Sequence, residues 1–116
     1  MVKRFGEIYI PDIGDIVWLD FDPQVGREQA KRRPAICLSP KDYNEKSELA
    51  IFCPITSVSK GYPFEVEINI EKIKGVILAD QVRSLDYKER KAQFIQQAPE
   101  DILEKVKDYI CLLIDY

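Results

Sequence analysis

Hydrophobic and polar positions alternate most cleanly over residues 64–70. Phe64, Val66, Ile68 and Ile70 share one face, and Glu65, Glu67 and Asn69 share the other. A period of two is that of a strand with one buried face. Residues 16–21 predict a different kind of strand. Ile16 and Trp18 lie on one side and Val17, Leu19 and Phe21 on the other, so both faces are mainly apolar. That pattern suits a strand in a small closed sheet. Residues 34–39 and 49–55 are mainly apolar and predict two further strands. Pro34 is tolerated at the first position of its strand, and Pro54 implies an edge or a bulge late in its own. Residues 75–79 and 93–95 predict two more short strands, and residues 80–89 between them are ambiguous. Turn formers separate the runs: Pro11 to Asp15, a polar loop over 23–33 with Gly26 as its permissive point, a short helical turn at 40–44, and a loop over 56–63. From Pro99 the period changes. Ile102, Leu103, Val106, Ile110 and Leu113 fall on one face of a helix, with Glu100 and Asp101 at the positive end of its dipole. The expectation is a mainly β fold. Five to seven short, mostly antiparallel strands form a small barrel, closed by one C-terminal helix.

Composition narrows the chemistry. A chain of 116 residues with 46% hydrophobic content suits a single domain spanning residues 1–116 with a real core. No run approaches the ~18 apolar residues of a membrane span, and the N-terminus carries no apolar signal segment, so a soluble, cytoplasmic protein is expected. The odd count of three cysteines, Cys37, Cys53 and Cys111, each in an apolar run, suits reduced thiols better than a disulfide framework. The absence of histidine excludes histidine metal sites, Ser-His-Asp triads and Cys-His dyads.

Charge then singles out residues 26–36, GREQAKRRPAI. Four cations (Arg27, Lys31, Arg32 and Arg33) face one anion (Glu28), a local +3 that leaves −6 on the rest of a chain whose net charge is −3. Such asymmetry would draw a polyanion to one groove and weaken adhesion elsewhere. Arginine before a strand offers a planar fork for phosphate, and Glu28 and Gln29 can read base edges or sugar hydroxyls. The plainer alternative is a solvated charged loop. A second group is Thr56 and Ser57 at the end of an apolar strand, followed by Lys60 and a tight aromatic turn. A hydroxyl fixed there can donate to a phosphoryl oxygen, or simply bond its own backbone. Asp20 and Asp22, spaced i, i+2, form a weak pair for a divalent cation. Phe21 between them is either core or a stacking face for a base.

Taken in order, PDIGDIVWLDFDPQVGREQAKRRPAICLSPKDYN, CPITSVSKGYPFEV and GVILADQVRSLD resemble the MazF/PemK family of endoribonuclease toxins. Together they cover about half the chain at family-like spacing. The resemblance implies an SH3-like β-barrel with short peripheral helices, acting as a homodimer. It implies metal-independent, sequence-selective cleavage of single-stranded RNA, chiefly messenger RNA, with no cofactor. Its key arginine falls on Arg33 and its key threonine on Thr56, with Glu28 as a further catalytic group. Phe21, Gln29, Lys60 and Gln81 follow as RNA contacts, and Arg32 and Ser57 join them from the two groups above. The implied partners are single-stranded RNA, a second copy of the chain, and a cognate antitoxin with an acidic disordered tail. DNA is met only through the antitoxin complex, and no membrane is involved. The sequence departs from relatives at Arg32, and its 44–49 loop lacks a glycine often found there. The rival readings are a non-catalytic barrel that binds a peptide or nucleic acid, and a gyrase-poisoning toxin of related fold.

Overall fold

The protein is described by a computed structural model covering residues 8–22 and 31–115. In chain order the elements are β1 (Asp15–Asp22), β2 (Lys31–Cys37), α1 (Lys41–Ser47), β3 (Ala50–Thr56), β4 (Glu65–Asn69) and β5 (Lys74–Leu78). A 3-10 turn (Ala79–Gln81), β6 (Arg83–Leu85), β7 (Gln93–Gln97) and α2 (Glu100–Ile114) follow. All strand pairs are antiparallel, in the order β4-β5-β3-β2-β1-β7, with β6 also on β3. This is the expected small, mainly β barrel, drawn as a half-barrel with β4 and β7 at the ends of the path. Register shifts on both sides of β1, between Ile16 and Val17 and between Asp20 and Asp22, bend the central strand. The backbone N–H of Lys72, in the β4–β5 turn, donates to Gln96 Oε1 on β7 at 3.2 Å, linking the two ends.

The doubly apolar strands are explained by two cores. Ile16, Ile36, Cys53 and Ile55 join Val66, Ile68 and Ile77 under Val106 of α2. The alternate residues Val17, Leu19, Phe21, Ala35, Cys37, Ala50 and Phe52 pack on the other side with Leu85 and Tyr87. A strand stretch buried on both faces needs consecutive apolar side chains, which β1 carries over residues 16–19, β2 over 34–37 and β3 over 50–55. β4 has only one covered face: Val66 and Ile68 are buried, while Glu67 and Asn69 are exposed.

Four boundaries differ from expectation. β2 begins at Lys31, so Arg32 and Arg33 lie in a strand and Pro34 stands inside it. The β3 neighbour starts only at Ala35, so one side of β2 has no ladder to complete at Pro34. Pro54 is in a central strand, not at an edge. β6 pairs with β3 at residues 50–52 and β5 at residues 55–56, and Pro54 sits in the gap between them. The ambiguous 80–89 stretch holds β6 and the end of the 3-10 turn. The turn at 40–44 extends to a seven-residue helix built on buried Asn44. Asn44 Nδ2 donates to the carbonyls of Pro11 (2.7 Å) and Ser39 (3.0 Å), and Asn44 Oδ1 accepts from Ser39 Oγ (2.6 Å). The glycine-poor loop after it places Glu48 at φ 64°, a left-handed cap that costs a non-glycine residue about 1 kcal/mol.

Candidate active site

A cleft of about 400 Å³ opens between the β2–β3 side of the sheet and the β4–β5 turn. Trp18 follows Ile16 on the same face of β1 and is paired with Pro34 of β2. Ile16 is fully buried, whereas Trp18 is 38% exposed. Trp18, Pro34, Ile55 and Ile73 give the cleft an apolar floor. Arg33, Thr56, Ser57, Lys72 and Lys74 complete its lining. Arg33 directly precedes the floor residue Pro34 in β2, and Thr56 directly follows Ile55 at the end of β3. Among the described lining residues three are cations and none is a carboxylate.

Thr56 ends β3, and its Oγ1 accepts the backbone N–H of Val58 at 3.3 Å. The local bond weighed in the sequence is therefore present, yet it uses only a lone pair. The hydroxyl proton stays available for a donor role, with its oxygen held in place. Beyond Thr56 the loop is organised by Glu65. Its carboxylate accepts Ser59 Oγ–H (2.7 Å) and the N–H groups of Lys60 (2.9 Å) and Gly61 (3.2 Å). These bonds, that of Ser59 foremost, hold Glu65 below the usual carboxylate range. Gly61 at φ 74° takes the sharp bend. Lys60 is exposed on this loop, outside the lining of the cleft, and Gln81 is exposed on the 3-10 turn.

Arg32 and Phe21 do not face the cleft. Arg32 is instead held beside the cleft by β1 and the turn before β7: its Nη1 meets Asp20 Oδ1 at 2.6 Å and its Nη2 donates to the Lys91 carbonyl at 2.9 Å. Asp20, weighed as half of a metal pair, is thus an arginine's partner. Phe21 is 4% exposed in the second core, with Arg83 Cζ 5.3 Å from its ring centroid. That cation covers the face which stacking on a base would need. Glu28 and Gln29 lie outside the described residues.

A larger cavity, about 550 Å³, lies under residues 8–10 and takes in Asp15 and Phe94. Asp15 accepts Tyr9 O–H (2.5 Å), Gln97 Nε2–H (2.6 Å) and the N–H of Asp12 (3.0 Å). Burial first, and Asp15 second, push the Tyr9 phenol far above its ordinary range. This carboxylate fixes a turn, and the cavity holds no cation but Lys41 among its described lining residues.

Sequence reasoning missed Trp18, assigned to a face shared with core Ile16, and the pair Lys72 and Lys74. The signal for the latter was available: Lys-Ile-Lys directly before a strand-opening glycine puts two cations either side of a buried anchor.

The cleft thus combines an apolar floor, a cationic rim and a hydroxyl held by its own loop, on a small mainly β half-barrel. Residues 12–114 match the family model for the PemK-like, MazF-like toxin of type II toxin-antitoxin systems, and the chain belongs to that family. It is 45% identical over 114 residues to the endoribonuclease toxin MazF of Escherichia coli K12, covering 98% of this chain and 99% of that one. Endoribonuclease EndoA of Bacillus subtilis 168 is 31% identical over 112 residues, covering 89% and 96% of the two chains. Among solved structures, MazF (form I) from Deinococcus radiodurans superposes with a TM-score of 0.85 at 46% identity, covering 94% of this chain and all of that one. A chain of the MazE–MazF complex (form II) from the same organism gives 0.87 at 47% identity, covering 93% and 98%.

Proposed function

We propose that this protein is the toxin of a toxin–antitoxin pair, and that it cuts single-stranded RNA, chiefly messenger RNA, at selected sequences and so arrests translation and growth. The observation that carries the reading is end-to-end kinship with the E. coli endoribonuclease toxin, over 98% of this chain and 99% of that one. The shared cleft of Arg33 and Thr56 supports it.

RNA brings its own nucleophile. The 2′-oxygen attacks the adjacent phosphorus, its proton leaves, and the 5′-oxygen departs with a proton, giving a 2′,3′-cyclic phosphate and a 5′-hydroxyl. No metal is required to generate that nucleophile. What the protein must supply is charge stabilisation at phosphorus and proton transfer. Arg33 provides the charge stabilisation, since a fixed guanidinium aimed at developing charge contributes about 3–4 kcal/mol per well-placed donor. Thr56 orients the phosphate or the 2′-hydroxyl through its available proton. It is not the nucleophile, because no base stands beside it among the described residues. Glu28 remains the proposed base or holder of Arg33.

MazE–MazF assemblies from D. radiodurans support an antitoxin partner for this chain too. An acidic, disordered antitoxin tail would order across the cationic cleft and exclude RNA. The chain works as a homodimer in the cytoplasm, where its substrate is found, and meets DNA only through the antitoxin complex. No helix among the described residues is long and apolar enough to cross a membrane.

The test is incubation of the purified protein with single-stranded RNA in excess chelator. Fragments with cyclic or 3′-phosphates and new 5′-hydroxyls are expected. Intact RNA would return the chain to the binding-module or gyrase-poison reading, and 5′-phosphate ends would overturn the mechanism.

A further inference from the structure

We infer that the β4–β5 turn is a second phosphate-binding arm of the cleft, in which Lys72 and Lys74 hold the RNA backbone next to the bond that Arg33 and Thr56 act on. The inference rests on the RNA-cleaving reading and adds to it a strand path.

The turn is built to hold two ammonium groups in place. Ile73 between them is 6% exposed and belongs to the core under α2. The N–H of Ile70 donates to the Ile73 carbonyl at 2.8 Å, closing the turn. The N–H of Lys72 is held by Gln96 Oε1 of β7 at 3.2 Å, so the turn is tied to the far end of the sheet. On its other side comes Gly75. A Cβ there would fall inside van der Waals distance of the Thr56 carbonyl oxygen, so β5 reaches this close to β3 only because residue 75 is glycine. The register that follows pairs Val76 with Thr56. Two lysines are thereby fixed to the residue whose hydroxyl serves the proposed chemistry.

Both lysines are exposed, both line the cleft, and neither has a carboxylate partner among the described residues. An isolated pair of like charges facing a groove gains from a ligand of opposite sign. The spacing suits a polymer. Arg33 and the two lysines stand on different walls of one cleft, so a single strand crossing it presents successive phosphates to each. A lone phosphate monoester would not need the second wall. The strand is therefore led from the β2–β3 rim across the β4–β5 turn toward β7.

The test uses the full chain and a fluorescent single-stranded oligonucleotide of mixed sequence with 2′-methoxy sugars, which cannot be cleaved. Binding is measured by anisotropy from 50 to 200 mM KCl for the wild type, for K72Q/K74Q, and for Lys105→Gln on the exposed side of α2. Each phosphate contact on a single strand contributes about 0.7 to the slope of log affinity against log salt. The double variant should lose about 1.4 of slope, so that across this range the wild type loses about sevenfold more affinity than the variant does. Lys105→Gln should match the wild type. On cleavable RNA the double variant should raise KM and leave kcat within about twofold, with an unchanged melting temperature. An unaltered slope and KM in a wild-type background that cleaves RNA would overturn the arm while leaving the nuclease reading intact. A wild type that neither binds nor cleaves RNA would overturn both.

Discussion

Arg32 and Arg33 are neighbours in the chain and belong to different sides of the sheet. Arg32 is turned to Asp20 and to the Lys91 carbonyl, close to where Arg90 donates to the carbonyls of Asp20 and Phe21 and Arg83 covers the Phe21 ring. Arg33 lines the cleft with Thr56, Lys72 and Lys74. Three arginines fasten the end of β1, whereas Arg33, Lys72 and Lys74 converge on a groove whose described lining includes no carboxylate. A cationic run is therefore not one feature. Within one strand, Arg32 is engaged by a carboxylate and a carbonyl, while Arg33 lines the cleft.

The largest effect is expected at the Thr56 hydroxyl. Thr56→Ala should lower the single-turnover cleavage rate by about 10²-fold while leaving circular dichroism and melting unchanged, as expected when one preorganised donor is lost. A near wild-type rate would remove Thr56 from the cleft's chemistry. The next effect is on packing between the two walls of the cleft. Gly75→Ala should destabilise by about 1–3 kcal/mol, the usual cost of forcing an extra carbon into a packed site, seen as a lower urea midpoint. A neutral result would mean that β5 and β3 are not held in register by that close approach.

A smaller effect separates the two cores, since each contains one thiol. Burial pushes Cys37 up to about 11 and Cys53 up to about 12 from an ordinary 9.0. Both folded values are raised, so the stabilisation is complete below pH 9 and is lost as the pH rises through 11 to 12, because the unfolded thiols ionise first. At pH 10 the loss should be about 1 kcal/mol per thiol, read as a fall in urea midpoint that Cys53→Ala partly removes. At pH 8, iodoacetamide should label exposed Cys111 alone.

Much of this was legible beforehand because it depends on local pattern. The two-sided apolar run of β1 announces a strand covered on both faces in a closed sheet, and the alternation of β4 announces a strand with one buried face. The shift to helical spacing after Pro99 gives α2, although Pro99 is its cap rather than part of its first turn. The motifs around Arg33 and Thr56 carried the family. What could not be read depends on where elements stop. Pro34 looked like a strand start, which left Arg32 and Arg33 in one loop and hid their separation. Trp18 reads as core by period, yet it lies half-open in the floor of the cleft. Phe21 was open between core and stacking, and the choice fell to Arg83, 62 positions later in the sequence. Lys72 and Lys74 gain meaning only from the approach of Gly75 to Thr56, a contact no sequence period contains.

The most direct measurement places the two arginines side by side. Arg32→Ala and Arg33→Ala are compared for single-turnover cleavage of one RNA in chelator and for thermal melting. Arg33→Ala should lose about 10²- to 10³-fold in rate with an unchanged melting temperature. Arg32→Ala should keep its rate within a few-fold and lose up to about 1 kcal/mol of stability, its guanidinium being partly exposed. Equal losses of rate in both, or a loss confined to Arg32→Ala, would contradict the division of labour across β2.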